Sequence, residues 1–370
     1  MGTPRFNAGT RCVSAVLAAA LALVPAAAQA CTGIRLVADD KSVVRARTME
    51  FGTETHSNVI LVPRGYARTA TAPDNAKGKS WTAKYASVGM NMLGLPLVID
   101  GFNEKGLSIG LFYFPGYAQY QDYAAADQDK AIAPWELGTY ILDNFATLDE
   151  VKAGLSEVVV PNVEFAAWKF VPPVHYIVMD PSGTSIVIEY VNGTLNVHDN
   201  PIGVITNSPT FDWHMTNLNN FVNLGLENVP PNKLGSMTFN GFGQGTGLLG
   251  MPGDFTPPSR FVRAAIFSYG VLGSETSDDA VLEAFHILNN FDIPKGVARD
   301  GEKDEDGNVI ADYTQWTGAS DLSKLRYFVR TYDNSAIRFV DMTKETLDAA
   351  DIKVWPVEGD ESVEPLKPAR

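Results

Sequence analysis

Cys31 is placed for nucleophilic chemistry. It follows Ala28-Gln29-Ala30, with small residues at −3 and −1, the pattern behind which a signal peptidase cuts, and a cut there makes Cys31 the first residue. An amino-terminal cysteine carries its own nucleophile and its own base, because the thiol attacks while the α-amine takes the proton. A free α-amine titrates near ~7.7–8.0 and a thiol near ~8.5, so the two exchange a proton near neutral pH without a histidine. Two other readings stay open. Lipidation of the sulfur is one, although lipoprotein signals favour Leu near −3, where this chain has Ala28. An incidental cysteine is the other.

Arg45-Ala46-Arg47-Thr48-Met49-Glu50 is the next candidate. On a strand, alternate residues share a face, so Arg45, Arg47 and Met49 point one way and Glu50 the other. If this strand pairs with the one that starts at Cys31, an arginine stands beside the thiol, lowers its pKa and raises the thiolate population. A solvated row of charge is the competing reading.

Other motifs carry less. Gly245-Thr246-Gly247-Leu248-Leu249-Gly250 matches G-x-G-x-x-G in letters, but Pro252 and Gly253 break any helix at once, so it is expected to be a glycine-rich loop. Asp304-Glu305-Asp306-Gly307 has its glycine in the wrong place for an EF-hand and is expected to be a solvated turn. His56, His175, His198, His214 and His286 are scattered, with no H-E-x-x-H and no i, i+4 pair to bind a metal. A G-x-S-x-G serine elbow is missing too.

Arg5 and Arg11, the apolar run Val13–Val24 and Pro25 make residues 1–30 a secretory signal peptide; the run falls short of the roughly 20 residues of a spanning helix. Removing thirty residues, two of them arginines, leaves 340 and takes the net charge from −14 to −16. The expected product is periplasmic or extracellular, with no membrane anchor. Its acidity argues against nucleic-acid binding, since it cannot neutralise a run of phosphates. Only Cys12 and Cys31 occur, so a disulfide framework and a multi-cysteine metal site are both ruled out.

The elements that position these residues are mostly strands. Thr32–Val37 and Ser42–Phe51 form a hairpin through Asp39-Asp40-Lys41, with Cys31 at its edge. Strands are predicted at Asn58–Pro63, Trp81–Met92, Leu97–Asp100 and Leu107–Phe114, the last two joined by Asn103-Glu104-Lys105-Gly106. A helix is predicted from Pro134 to Leu155. Tyr176–Met179, Ser185–Tyr190 and Thr194–His198 follow as strands, with Asn192-Gly193 as a tight turn, and then Ile202–Thr206. Ser259–Val271 and Asp278–Asn290 are predicted helices capped by Ser259 and Asp278; Tyr327–Thr331 and Ile337–Asp341 return to strand. The polar tail Glu358–Arg370 is expected to be loosely held. Antiparallel strands interrupted by paired helices indicate an α+β fold with sheets between helical layers, in one domain over residues 31–370.

Cys31-Thr32-Gly33, Arg47-Thr48-Met49-Glu50, Asn103-Glu104-Lys105-Gly106-Leu107 and Thr206-Asn207-Ser208-Pro209 occur in this order. Gly250-Met251-Pro252-Gly253-Asp254-Phe255 and Ser259-Arg260-Phe261-Val262-Arg263 follow them. Together these strings closely resemble the choloylglycine hydrolase family, which includes bile salt hydrolases and penicillin V acylases. The resemblance implies an N-terminal-nucleophile hydrolase with a four-layer αββα sandwich, a homotetramer, and neither cofactor nor metal. It implies that Cys31 is the nucleophile, that Arg47 stands beside the sulfur, that Asn207 helps hold the oxyanion and that Arg260 supports the charged site.

Glu50 stands where the family usually has an aspartate contacting the terminal amine. Tyr113 stands where bile salt hydrolases typically carry asparagine and penicillin V acylases tyrosine, and its backbone N–H is an oxyanion candidate. Met49, Phe51, Met92 and Phe114 are candidates to line an apolar acyl pocket. The expected reaction is hydrolysis of a linear amide, with glycine- or taurine-conjugated bile acids as first choice and penicillin V or an acyl-homoserine lactone as the alternative. A lipid-anchored binding module without turnover is the non-enzymatic alternative.

Overall fold

The computed structural model describes residues 30–303 and 307–368. The predicted signal segment, Cys12 and most of the Asp304–Gly307 turn lie outside the described residues.

The hairpin that carries the amino-terminal cysteine forms as its turn residues dictate. Strand β1 (Thr32–Val37) pairs antiparallel with β2 (Val43–Phe51), Thr32 opposite Thr48 and Gly33 opposite Arg47. Every residue of β2 is buried, so both of its faces are covered. Val309–Asp321 covers its other edge, and Arg326–Thr331 and Asn334–Asp341 extend the sheet. Ala298–Lys303 also pairs with Val309–Asp321.

A second, eight-stranded antiparallel sheet runs in the order Thr194–Asp199, Ser185–Val191, Val174–Met179, Ser108–Tyr113, Asp100–Asn103, Ser87–Met90, Asn58–Val62 and Lys353–Pro356. Helices Pro257–Gly270 and Ser277–Leu288 pack on β1 and β2, and helix Leu137–Asn144 packs on Ser108–Tyr113. The result is the expected αββα sandwich. One apolar core fills the space between the sheets and under the paired helices, and a second fills the space between the eight-stranded sheet and its own helices.

A buried ion pair ties the two sheets together. Arg45 Nη2 of β2 donates to Asp100 Oδ1 at 2.6 Å and to the Ile109 carbonyl at 2.8 Å, and Tyr327 donates to Asp100 Oδ2 at 2.9 Å. The Arg45, Arg47, Met49 face therefore looks into the inter-sheet space, as strand alternation predicted. No helix among the described residues is long and apolar enough to cross a membrane.

Several boundaries differ from the sequence reading. Trp81–Met92 is two strands, Lys77–Thr82 and Ser87–Met90, because the chain leaves a small hairpin with Ala67–Thr71 to join the large sheet. At the crossing, the Lys84 and Tyr85 N–H groups donate to the Asp143 carbonyl. The strand predicted at Leu97–Asp100 begins at Asp100 and runs to Asn103.

The long helix from Pro134 is a 3₁₀ turn followed by Leu137–Asn144 and Leu148–Gly154. It breaks at Phe145 because Asn103 Nδ2 takes the Leu142 and Phe145 carbonyls, at 2.8 and 2.7 Å. Ile202–Thr206 forms only one bridge, Ile205 to Gly33. The helix caps are Thr256 and Thr276, with Ser259 and Asp278 inside the first turns. Six strands among the described residues escaped the sequence reading, namely Ala67–Thr71, Asn232–Leu234, Met237–Phe239, Ala298–Lys303, Val309–Asp321 and Lys353–Pro356.

Candidate active site

Strand alternation sends the Cys31 side chain into the inter-sheet space and that of Thr32 toward the helices. The thiol is free and buried, 3.9 Å from Met49 Sδ and 4.0 Å from the Glu50 carbonyl. Gly33 follows because nothing larger fits; a Cβ there would stand 2.8 Å from both Ile205 Cγ2 and Phe112 Cζ. Ala30 precedes Cys31 in the described residues, so the Cys31 nitrogen is a peptide N–H, and it donates to Asn207 Oδ1 at 2.9 Å.

Arg47 is fully buried beside this group. It donates to the Leu111 carbonyl at 2.5 Å, to the Thr48 carbonyl at 3.0 Å and to Met49 Sδ at 3.3 Å, with its guanidinium 4.1 Å from the Phe112 ring centroid. The expected arginine is therefore in place, but its effect is overridden. Burial pushes the Cys31 thiol above its ordinary range, while the charges of Arg47 and Arg260 pull the other way.

Arg260 projects from helix Pro257–Gly270 into the same cluster. It donates to the Cys31 carbonyl, to Thr32 Oγ1 at 2.9 Å and to Asn207 Oδ1 at 2.6 Å. Burial lowers its pKa to about 10, a value at which it still carries its charge at neutral pH. Asn207 spans the site. Its Oδ1 accepts from Cys31 and Arg260, and its Nδ2 donates to the Tyr113 carbonyl at 2.8 Å, leaving the second amide hydrogen for another acceptor.

Glu50 does not make the predicted contact. Its carboxyl accepts from Thr48 Oγ1 at 3.1 Å and Thr314 Oγ1 at 2.7 Å, while the Cys31 nitrogen is bonded to Asn207. The cause is the register of β2, which turns Glu50 to the helix-facing side, opposite the thiol. Burial pushes its pKa up to about 8 against the pull of Arg260, so it is largely protonated at neutral pH.

An apolar cavity opens at the thiol, with an empty volume of about 570 Å³ counting its mouth. Met49, Phe51 and Met92 line it as expected, and Tyr113, expected only at the oxyanion, lines it too. Phe114 does not; it is fully buried and stacked on His175, with ring centroids 4.3 Å apart. Sequence reading missed Trp135, Phe165 and Trp168, which close the far wall. Trp168 stacks on Phe51 at 5.3 Å, and Phe165 meets Trp168 edge-on at 5.0 Å. The signal for Phe165 and Trp168 was the aromatic density of Phe165-Ala166-Ala167-Trp168-Lys169-Phe170, a run with neither helical nor strand period. Among the described residues, no group of three or more His, Cys, Asp or Glu is arranged to hold a metal ion.

Residues 31–355 match the family model described as linear amide C–N hydrolases, choloylglycine hydrolase family. The chain belongs to the choloylglycine hydrolase family. It is 36% identical over 327 residues to a bile salt hydrolase/transferase of Clostridium perfringens, covering 88% of this chain and 96% of that protein.

Among solved structures, a mutant conjugated bile acid hydrolase from Clostridium perfringens superposes with a TM-score of 0.79 at 34% identity, covering 91% of this chain and all of that one. Penicillin V acylase from Agrobacterium tumefaciens gives 0.69 at 26% identity, covering 87% and 90%. This choloylglycine hydrolase family member therefore has the N-terminal-nucleophile hydrolase fold and is a hydrolase of linear amide C–N bonds.

Proposed function

We propose that this chain is exported, loses residues 1–30, and hydrolyses glycine- or taurine-conjugated bile acids through a Cys31 thioester. The observation that carries the reading is the placement of the Cys31 thiol at an apolar cavity, with Asn207 and Arg260 gathered on its own backbone. Once Ala30 is gone, the nitrogen beside Asn207 Oδ1 is a primary amine that takes the thiol proton. The sulfur attacks the amide carbonyl, and Asn207 Nδ2–H with a backbone N–H near Tyr113 holds the oxyanion. The α-ammonium then protonates the leaving amine, and water cleaves the thioester. Arg47 and Arg260 offset the cost of charge on buried sulfur.

The bile-acid choice is supported by the Clostridium perfringens relatives and by an acyl cavity with apolar walls. A second reading, cleavage of penicillin V or a long-chain acyl-homoserine lactone, is favoured by Tyr113 and by the stacked Phe51–Trp168 pair, which suits a flat or slender acyl group. Assembly as a homotetramer is part of the proposal. It is supported by the hairpin Asn232–Leu234/Met237–Phe239, whose Leu234, Met237 and Phe239 are exposed.

A side-by-side assay of glycocholate, taurocholate, penicillin V and a long-chain acyl-homoserine lactone tests the substrate. The highest kcat/KM is expected on a bile-acid conjugate, and turnover confined to the other two would establish the second reading instead. Cys31→Ser is expected to fold and to lose nearly all activity on every substrate; near-wild-type hydrolysis by that variant refutes the thioester scheme.

A further inference from the structure

His175, His198 and His214 lie far apart in the sequence and form no motif, yet they gather behind the Thr206–Asn207 peptide. His214 Nε2 meets the Asn207 carbonyl at 2.9 Å, and His175 Nε2 meets the Thr206 carbonyl at 3.0 Å. His175 Nδ1 faces Glu189 Oε1 at 3.0 Å. The same oxygen accepts the Phe211 N–H at 3.0 Å, and Glu189 Oε2 stands 3.6 Å from His198 Nε2. Stacking fixes both inner rings. His175 lies flat on Phe114, with 3° between the planes, and His214 on Phe261, with 13°.

A carbonyl oxygen only accepts, so each imidazole donates through Nε2. Burial opposes charge on Glu189, but its histidine partners outweigh it and bring the carboxyl down to about 2; it is ionised and accepts. Burial brings His214 down to about 4, which keeps that ring neutral with its single proton on Nε2. Among the described residues, the buried Nδ1 of His214 has no hydrogen-bond partner, consistent with a nitrogen that carries no proton.

The backbone here needs this support. Among the described residues, no ladder holds the chain here beyond the single bridge of Ile205 to Gly33, and Thr206 and Asn207 are both buried. We propose that His214 and the His175–Glu189 pair are positioning residues for Asn207. By anchoring two successive carbonyls, they aim its amide between the Cys31 nitrogen and the Tyr113 carbonyl. The inference rests on Asn207 as the oxyanion donor. An ångström of drift in such a donor costs up to about a hundredfold in rate.

The test compares His214→Phe, which retains a ring against Phe261 but has no donor, with His214→Gln, whose amide N–H has a similar reach. Both are assayed beside Asn207→Ala on whichever amide the wild type cleaves best. Asn207→Ala is expected to lose about 10²–10³ in kcat. His214→Phe is expected to lose about tenfold or more in kcat with KM within about twofold, and His214→Gln to stay within about threefold of wild type. His214→Met replaces the phenylalanine variant if that one does not fold. Wild-type kcat in the donorless variant, or equal losses with glutamine and phenylalanine, overturns the positioning role. Wild-type kcat in Asn207→Ala overturns the oxyanion reading beneath it.

Discussion

Glu50 holds its carboxyl on Thr48 and Thr314, and burial lifts its pKa from an ordinary 4.5 to about 8. An acid whose folded-state pKa is raised in this way stabilises the fold fully below the ordinary value. That contribution is lost as the pH climbs through about 8. Glu50→Gln keeps a polar group between the two threonines but cannot ionise. It is expected to match the wild type in urea unfolding at pH 4 and to exceed it at pH 8.5 by about 4–5 kcal/mol, the scale of a carboxyl held roughly three and a half pH units above its free value. Equal stability of the two at both pH values would show that Glu50 ionises freely. What Glu50 touches was not legible in the sequence, because it depends on β2 register and on Thr314, which reaches it from a strand that carried no sequence signal. Cys31, Arg47, Asn207 and Arg260 were legible because each belongs to a string with fixed neighbours. Phe114 was misplaced because a buried aromatic on a strand looks alike whether it lines a cavity or stacks on a histidine.

The strand β2 faces the second sheet, and Arg45–Asp100 is the ion pair among the polar bonds that join the two sheets, beside Arg47 on the Leu111 carbonyl and Tyr327 on Asp100. The Arg45 and Asp100 side chains are about 1% exposed, so removing one partner strands a buried charge. Asp100→Asn or Arg45→Met is expected to cost about 3–5 kcal/mol, read as a fall in urea midpoint. A loss below 1 kcal/mol would show that this ion pair does not hold the sheets together. At this scale the hairpins were legible where the turn chemistry was explicit, as at Asn192-Gly193, where both residues have positive φ. Val309–Asp321 was not legible. It is buried on both faces for most of its length, so it shows no apolar–polar alternation, and its Thr314 and Gln315 spend their polarity on bonds to residues distant in sequence. Gln315 interrupts the ladder with β2 and bonds the Phe51 and Thr53 carbonyls, at 3.0 and 2.7 Å, which sets Thr314 opposite Glu50. The break of the predicted helix at Phe145 likewise depends on Asn103, a residue distant in sequence.

For the molecule as a whole, a net charge of −14, or −16 once residues 1–30 are removed, opposes the approach of anionic amides. Glycocholate, taurocholate and penicillin V each carry a negative charge, so raising ionic strength from about 0.01 to 0.15 M shortens the Debye length from about 30 to about 8 Å and screens that repulsion. On such substrates kcat/KM is expected to rise by about twofold, with no rise for an uncharged acyl-homoserine lactone; a fall with salt would place a local cationic funnel at the mouth. The α+β architecture was legible from element order, since runs of antiparallel strands broken by paired helices leave few ways to cover both sheets. Catalysis through a terminal amine makes one demand on the whole chain, that Cys31 be its first residue. Amino-terminal sequencing of fully active protein tests this most directly. Cys-Thr-Gly is expected from the first cycle, and full activity in material that begins at Ala30 or at any earlier residue would rule out a catalytic terminal amine.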